Sequence, residues 1–404
     1  MSEQNPPARP HEPLRVMYFV GYPQRMAGAN RSFIALVTSL PPGVEPLVVA
    51  PVEGPVVDAL RAAGISCTII SPVGAAATLK KEALQVPLFR RLWRLGGLAP
   101  FVYGVYRFIR RNRVDLVHAN CPISAVLVKP AAVLARRPLV EHVRGELPYS
   151  PRLSALAERV GDRMITVSEA VRQSLSPAAR EKTRTVYNGI AELPAPRRRI
   201  EWLEEKRARG VCVVCCFASV VPFKGQHHLV EAVAKLNARG WRGDRAVFVC
   251  VGDLANQEYA EWVQALAAER GIDNLVFTGW EDDPFAFYAA ADVAVLPSVS
   301  GERLRLNGRE IDVRGNEGFP RTHLEAMRFG LPIVGTRIAG VPEQVEDGVT
   351  GLLVEPGDPD GLADALERLI ASPELRARMG AAGRQRVERL FSTRAYVRGV
   401  LDVY

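Results

Sequence analysis

The sequence predicts an α/β protein made of two doubly wound, parallel-sheet domains, and three observations carry that reading. A chain of 404 residues is too long for one ordinary core and suits two of roughly 200 residues each. Short continuous apolar runs alternate with helical patterning throughout, as expected of strands covered on both faces by crossover helices. The rhythm stops at Asn188-Gly189, passes through a Pro- and Arg-rich stretch, and restarts at Val211. Hydrophobic residues make up 48% and charged residues 24%, an ordinary globular composition rather than a disordered one.

The polar, Pro-rich residues 1–13 lack the apolar core of a signal peptide and read as a disordered leader. Residues 14–190 form the first domain. Leu14–Gly21 is its first buried strand, followed by a Gly-containing loop at Gly28 and a helix through Ile34, Leu36 and Leu40. A Gly turn after the first strand is where doubly wound folds approach phosphates, although Gly21 and Gly28 do not complete a dinucleotide fingerprint. Pro46–Ala50, Ser66–Ile70, Asp115–His118, Pro138–His142, Arg163–Val167 and Thr183–Tyr187 continue the strands. Residues 191–199, with Pro194, Pro196 and three successive arginines, read as a linker. Apolar runs at Val211–Ala218, Ala246–Val251, Asn274–Thr278 and Val293–Leu296 build the second domain, 200–388, and 389–404 is a final helical segment.

The formal charge is +8, and its distribution is uneven. Between Phe89 and Arg113 there are seven arginines and no acid, interleaved with aromatic and aliphatic residues. Arg90, Arg91, Trp93, Arg94, Arg110 and Arg111 have the composition of an interfacial helix on an anionic membrane. The alternative is a core-packing helix with a solvated basic face. No nucleic-acid-binding motif accompanies the charge, so nucleic acid is not expected. No run of about 18 apolar residues marks a transmembrane helix. The six cysteines lie mostly in apolar runs, which suits reduced thiols in a cytoplasm. Cys212 and Cys215 have zinc-like spacing without a second pair, and Glu281-Asp282-Asp283 reads as helix capping, so no metal site is expected.

The stretch Glu317–Gly340 concentrates the chemistry. Gly318 and Pro320 lead into a helix carrying Leu324, Ala326, Met327 and Phe329, closed by Gly330. A helix starting at a Gly/Pro loop offers unpaired N–H groups and the positive end of its dipole to a phosphate. Glu317 and Glu325 flank that start and can accept hydrogen bonds from hydroxyls on either side of it.

These residues are part of a longer series. Val-Pro-Phe-Lys-Gly-Gln at 221–226, Phe-Thr-Gly-Trp at 277–280 and Ala-Asp-Val-Ala-Val-Leu-Pro-Ser at 291–298 precede Glu-Gly-Phe-Pro…Leu-Glu-Ala-Met at 317–327. Gly330–Thr336, Gly340–Val345 and Asp347–Val354 complete it. In this order they resemble the retaining GT-B glycosyltransferases of family 4, over most of 211–400. The first half resembles them more weakly, through Gly28–Ser32, Asp115–His118, His142–Glu146, Thr166–Ser168 and Asn188–Ile190. The resemblance implies two Rossmann-like domains facing a central cleft, with the C-terminal helix crossing back to the first. It implies transfer from a nucleoside diphosphate sugar to a glycan or lipid-linked acceptor, without metal. Lys224 would meet the donor diphosphate, Glu325 the ribose, and Glu317 the transferred sugar. Gly318, Phe319, Pro320, Arg321 and Thr322 would hold the distal phosphate and sugar, with Gly28, Ser219, Gly252 and Gly279 completing the donor site. His118, Asn120, His142 and Arg144 would face the acceptor, Arg144 also serving catalysis, with a plain core residue as the alternative for His142.

Three departures stand out. Ser219 occupies a position where the family has an arginine, so Arg321 or Arg337 would have to supply the missing cation. Arg144 stands where a histidine usually precedes the glycine. The charged segment 299–316 expands a short link and suggests a mobile lid or acceptor-selecting loop. The alternatives are a sugar-nucleotide epimerase or hydrolase of the same fold, and a non-catalytic nucleotide-sugar-binding subunit.

Overall fold

The computed structural model describes residues 12–24, 26–72, 98–145, 151–315 and 317–404. The chain divides into two compact units. The first comprises residues up to Thr166, Arg172–Val186 and Tyr396–Tyr404; the second comprises Val167–Val171 and Tyr187–Ala395. The last residues of the chain therefore belong to the first unit.

The first unit holds a seven-stranded sheet, every pairing parallel: β1 (Leu14–Phe19), β2 (Val44–Ala50), β3 (Cys67–Ile69), β4 (Leu116–Ala119), β5 (Leu139–Val143), β6 (Arg163–Thr166) and β7 (Thr183–Thr185). Its order is β3-β2-β1-β4-β5-β6-β7, so the winding reverses beside β1. Because strand side chains alternate, β1 feeds two cores: Val16 and Tyr18 pack on one face, Met17 and Phe19 on the other. Helices α1 (Gly28–Val37), α2 (Pro55–Ala62), α3 (Leu98–Arg111), α4 (Pro122–Ala135), α5 (Pro151–Val160), α6 (Glu169–Gln173) and α7 (Pro177–Glu181) make the connections. Phe101, Val105 and Ile109 of α3 recur every four residues, and that stripe is buried against Phe19, Val117 and Ala132. Its opposite face exposes Tyr103, Arg107, Arg110 and Arg111. The apolar side of α3 is thus a core surface, not a membrane-inserting one; Arg90, Arg91, Trp93 and Arg94 lie outside the described residues.

The second unit begins with α8 (Glu201–Ala208) and repeats the pattern with six parallel strands: β8 (Cys212–Phe217), β9 (Ala246–Val251), β10 (Leu275–Gly279), β11 (Val293–Leu296), β14 (Ile333–Thr336) and β15 (Gly351–Val354). Their order is β10-β9-β8-β11-β14-β15. Its helices are α9 (Gln226–Ala238), α10 (Gln257–Glu269), α11 (Pro284–Ala290), α12 (Arg321–Arg328), α13 (Val341–Gln344), α14 (Pro359–Ala371) and α15 (Pro373–Leu390); α16 (Thr393–Leu401) starts in this unit and ends in the first. Cys212 and Cys215, three apart on a strand, point to opposite faces and cannot share a metal. Burial pushes the Cys212 thiol up to about 12.

Residues 299–315 fold into a packed element. Between Val299 and Gly315 lies an antiparallel hairpin, β12 (Arg303–Leu306) and β13 (Arg309–Asp312). Asn307 and Gly308 turn it with φ of 48° and 81°, the left-handed pair a type I′ turn demands. Val299, Leu304, Leu306 and Val313 are buried against Val220, Val230, Tyr259 and Val263. The arginines line the outer side of a packed element.

Gly225, between Lys224 and α9, has φ +69°, and a Cβ there would stand 1.9 Å from the Pro297 carbonyl oxygen. The two strand-end loops can meet only over a residue without a side chain. Gly225→Ala should therefore cost more than Gly271→Ala, where φ is +63° but nothing lies within 4 Å. The backbone penalty of about 1–2 kcal/mol is common to both, so a larger loss for Gly225→Ala in urea unfolding measures the collision. Equal losses would contradict it.

Candidate active site

In open α/β sheets ligands bind beyond the carboxyl ends of the strands, where the winding reverses. In the second unit that point lies between β8 and β11. The chain leaving β8 makes a single 3₁₀ turn, Pro222–Lys224, before Gly225 opens α9. The chain leaving β11 reaches Ser298, and the hairpin returns the chain to Glu317 just before α12. Residues 93 positions apart thereby meet: Lys224 Nζ donates to Glu317 Oε1 at 2.5 Å, and the Ser298 hydroxyl donates to the same oxygen at 2.6 Å. The Lys224 and Glu317 side chains are only 18% and 6% exposed, so the pair is shielded from water. Burial raises the Glu317 carboxyl pKa, but the Lys224 charge and the two hydrogen bonds outweigh it and hold the group below its ordinary value.

Two turns further on, Glu325 is buried and fully engaged. Arg321 Nε donates to its Oε1 at 3.0 Å and the Tyr288 hydroxyl to its Oε2 at 3.1 Å. Tyr288 is itself clamped between Phe217, with ring centroids 3.5 Å apart, and Phe329, at 5.4 Å. Arg321 retains one buried guanidinium nitrogen, Nη1, without a hydrogen-bond partner. Of the two cations expected to compensate for Ser219, Arg321 is at the site, whereas Arg337 is paired with Asp347 and Glu355. Ser219 contributes its carbonyl, which accepts from Gln226 Nε2 at 3.0 Å.

The start of α12 is rigidly held. Pro320 makes no side-chain cap, so the helix end keeps its backbone donors. Phe319 turns its ring inward, stacked on Tyr187 at 5.0 Å, leaving its backbone as the available part. Gln344 Nε2 donates to the Pro320 carbonyl at 2.9 Å, and Gln344 Oε1 accepts from His323 Nδ1 at 3.0 Å. Burial takes His323 down to about 4, so it is neutral at pH 7. Gly318 is buried with its carbonyl against Gly340, where a Cβ would approach to 2.1 Å. Thr322 is half-buried on the first turn. Gly252 and Gly279 join the ends of β9 and β10, with the Gly252 N–H donating to the Gly279 carbonyl at 3.2 Å.

In the first unit, Gly28 opens α1, exposed, and the proposed acceptor residues gather at the ends of β4 and β5. Arg144 donates from Nε and Nη2 to Asn120 Oδ1, at 2.9 and 2.6 Å, and from Nη2 to the Tyr396 hydroxyl at 3.2 Å. Asn120 Nδ2 donates to Asn30 Oδ1 at 3.3 Å. Behind them, His118 Nε2 lies 3.3 Å from His142 Nδ1, and the Tyr404 hydroxyl is 2.8 Å from His118 Nδ1. His118 and His142 are wholly buried, and burial plus the Arg144 charge takes His118 down to about 3. This burial matches the core alternative for His142 and puts His118, expected to face the acceptor, in the same position. They are neutral supports beneath Asn120 and Arg144.

Comparison with known proteins then assigns the family. The profile described as "Glycosyl transferases group 1" matches residues 201–386, and "Glycosyltransferase Family 4" matches 56–192. A GDP-mannose-dependent alpha-(1-6)-phosphatidylinositol monomannoside mannosyltransferase of Mycobacterium tuberculosis is 30% identical over 69% of this chain and 72% of its own. A D-inositol 3-phosphate glycosyltransferase of Saccharomonospora viridis is 31% identical over 76% and 74%. The chain belongs to the family 4 glycosyltransferases. The fold agrees: HepE of Anabaena, solved in complex with UDP, superposes with a TM-score of 0.76 over 96% of this chain and 98% of its own, at 23% identity.

For this glycosyltransferase, the sequence singles out Lys224, Glu317 and Glu325, which the structure gathers beside α12, but not the residues that hold them. Ser298 was visible as the end of the Pro-Ser motif, without any sign that it meets Glu317. Tyr288 and Gln344 carried no signal of a role. Glu343, in the Gly-Val-Pro-Glu motif, accepts from the Glu169 and Ala170 N–H groups at 2.8 Å each.

Removing the cation should expose the cost of this arrangement. Lys224→Met leaves Glu317 buried without its charge partner, a loss of about 3–5 kcal/mol. Because the Glu317 pKa is depressed in the folded chain, its stabilising contribution is present above the unfolded carboxylate value of about 4.3. It is lost as pH falls through the folded value. The stability gap between wild type and variant, measured by urea unfolding, should therefore be full at pH 7 and narrow below about pH 4. A gap independent of pH would refute the assignment.

Proposed function

We propose that the protein is a retaining glycosyltransferase that moves a hexose from a nucleoside diphosphate sugar to a hydroxyl of a glycan or lipid-linked acceptor. The observation that carries this reading is the shielded Lys224–Glu317 pair beside the uncapped start of α12. Lys224 is a point charge suited to a leaving diphosphate, whose negative charge grows in the transition state. When the diphosphate draws Lys224 away, the Glu317 carboxylate is released to accept from sugar hydroxyls and to face positive charge developing at the anomeric carbon. Glu325, oriented by Arg321 and Tyr288, meets the ribose hydroxyls, and Arg321 Nη1 supplies the cation lost at Ser219. The leaving phosphate takes the acceptor proton on the same face, so retention needs no enzyme nucleophile and no metal. Asn120 and Arg144 position the acceptor. The named relatives act on GDP-mannose, a phosphatidylinositol mannoside and D-inositol 3-phosphate, which supports a hexosyl donor and a polyol or lipid-linked acceptor.

Glu317→Gln separates binding from chemistry. Donor affinity, ranked by thermal shift across UDP- and GDP-hexoses, should be equal or tighter because Lys224 is no longer neutralised. Turnover should fall by roughly 10²–10³-fold, the range for losing one charge-stabilising group. Unchanged turnover would sink the role of Glu317.

A cytoplasmic setting is supported by six free cysteines. No described helix is long and apolar enough to cross a membrane. The exposed Arg107, Arg110 and Arg111 on α3 support peripheral, electrostatic contact with an anionic membrane face. Reversing all three to Glu should weaken sedimentation with phosphatidylserine vesicles roughly 100-fold, at about 1 kcal/mol per arginine. Unaltered binding would remove α3 from the contact.

A further inference from the structure

Away from the Lys224–Glu317 pair, the second unit draws together His227, His228 and Glu302, whose donor atoms all lie within 4.8 Å of one another. The two histidines stand on the first turn of α9, and Glu302 stands at the base of the hairpin, its carbonyl accepting from the Val313 N–H at 2.7 Å. His227 Nε2 is 3.4 Å from Glu302 Oε1, and His228 Nε2 is 3.0 Å from Glu302 Oε2. Donors placed 2.0–2.1 Å from a tetrahedral ion are about 3.3–3.4 Å apart, so each imidazole lies about one such edge from a carboxylate oxygen, Oε1 for His227 and Oε2 for His228. Two imidazoles and a carboxylate are also a zinc-type donor set.

The surroundings fit the same reading. The Tyr259 hydroxyl lies 2.8 Å from His227 Nδ1 and accepts from the His227 N–H at 3.2 Å, fixing the ring with Nε2 toward Glu302. Such an outer hydrogen bond orients metal-binding histidines. Trp262 packs 5.9 Å from the His227 ring, giving the cluster an aromatic wall. Side-chain exposure rises from 6% at His227 to 13% at His228 and 27% at Glu302, so the cluster opens toward the carboxylate. The negative charge of Glu302 offsets the unfavourable placement of a cation at a helix N-terminus.

We propose that His227, His228 and Glu302 bind a divalent transition-metal ion of the zinc type, with a fourth position left to water. The ion pins the β12–β13 hairpin to the first turn of α9. Lys224 and Gly225 immediately precede that helix, and the hairpin leads directly to Glu317. One ion thus braces both chain segments that carry the catalytic pair, without touching donor or acceptor. The site does not depend on which sugar is transferred.

The test uses the untagged full-length chain, stripped by chelator and titrated with Zn²⁺ alone against a chromophoric competitor. Binding of about one equivalent is expected, weakened at least 100-fold in Glu302→Gln and in His228→Ala, and about 10-fold in Tyr259→Phe. Co²⁺ should give the intense visible absorption of a four-coordinate site in the wild type. Equal Zn²⁺ affinity in wild type and Glu302→Gln, or a weak six-coordinate Co²⁺ spectrum, overturns the proposal. In that event the cluster is held by imidazole N–H donation to the carboxylate. The Co²⁺ measurement uses only wild-type protein, so it decides the matter even if a variant fails to fold.

Discussion

The site depends on one buried charge pair. Lys224 and Glu317 come from chain segments 93 residues apart, and neither would be tolerated alone at this depth. Their meeting requires the carboxyl ends of β8 and β11 to be neighbours, which the strand order secures. It also requires two loops to pass without side chains in the way. Gly225 against Pro297 and Gly340 against Gly318 remove those obstacles. A buried ion pair is weak evidence for stability, since apolar residues of similar volume often serve a core as well or better.

The first unit solves a different problem. Arg144 sits on a polar network that runs through Asn120 to Asn30 on one side and to Tyr396 on the other. Buried networks of this kind stabilise one geometry because each unmade hydrogen bond is costly in a low-dielectric interior. Two members, Tyr396 and Tyr404, come from the C-terminal end of the chain, so α16 and the residues after it help to fix side chains at the ends of β4 and β5. Neutral His118 and His142 complete the support without adding charge beside the arginine.

Much of the fold was legible because parallel strands buried on both faces appear as uninterrupted apolar runs, and the two sheets follow the alternation read from residues 14–187 and 211–296. The local ends of the site were legible for the same reason, since Lys224 and Glu325 sit at fixed places in strand–turn–helix units. What spans the sheet was not. Nothing in the residues shows that Ser298 meets Glu317, or that Tyr288 faces Glu325, because those contacts exist only once the strands are ordered. The hairpin is an instructive miss. Asn307-Gly308 between Leu304, Leu306 and Ile311 is a strong turn signal, but the surrounding arginines drew the reading toward a loose loop. For α3 the sequence leaves both an interfacial and a core-packing helix open, and the Phe101–Val105–Ile109 stripe proves to be core. The sequence leaves His142 open between acceptor and core because a buried histidine and a site histidine look alike in sequence.

The charge balance at the ends of β8 and β11 explains why these residues come in pairs. Each buried carboxylate is held by a cation: Glu317 by Lys224 and Glu325 by Arg321. An unpaired buried carboxylate would protonate and lose its strength as an acceptor. The pairing keeps both ionised while the site is shielded. Arg321 keeps Nη1 without a hydrogen-bond partner, so a phosphate can engage that nitrogen while Nε stays on Glu325. Lys224 is a single ammonium with rotatable donors, able to shift from carboxylate to phosphate without moving the backbone. On the proposed function, an arriving diphosphate would replace an interaction rather than add a lone one. The desolvation already accepted to bury Lys224 would then not be incurred again on donor binding.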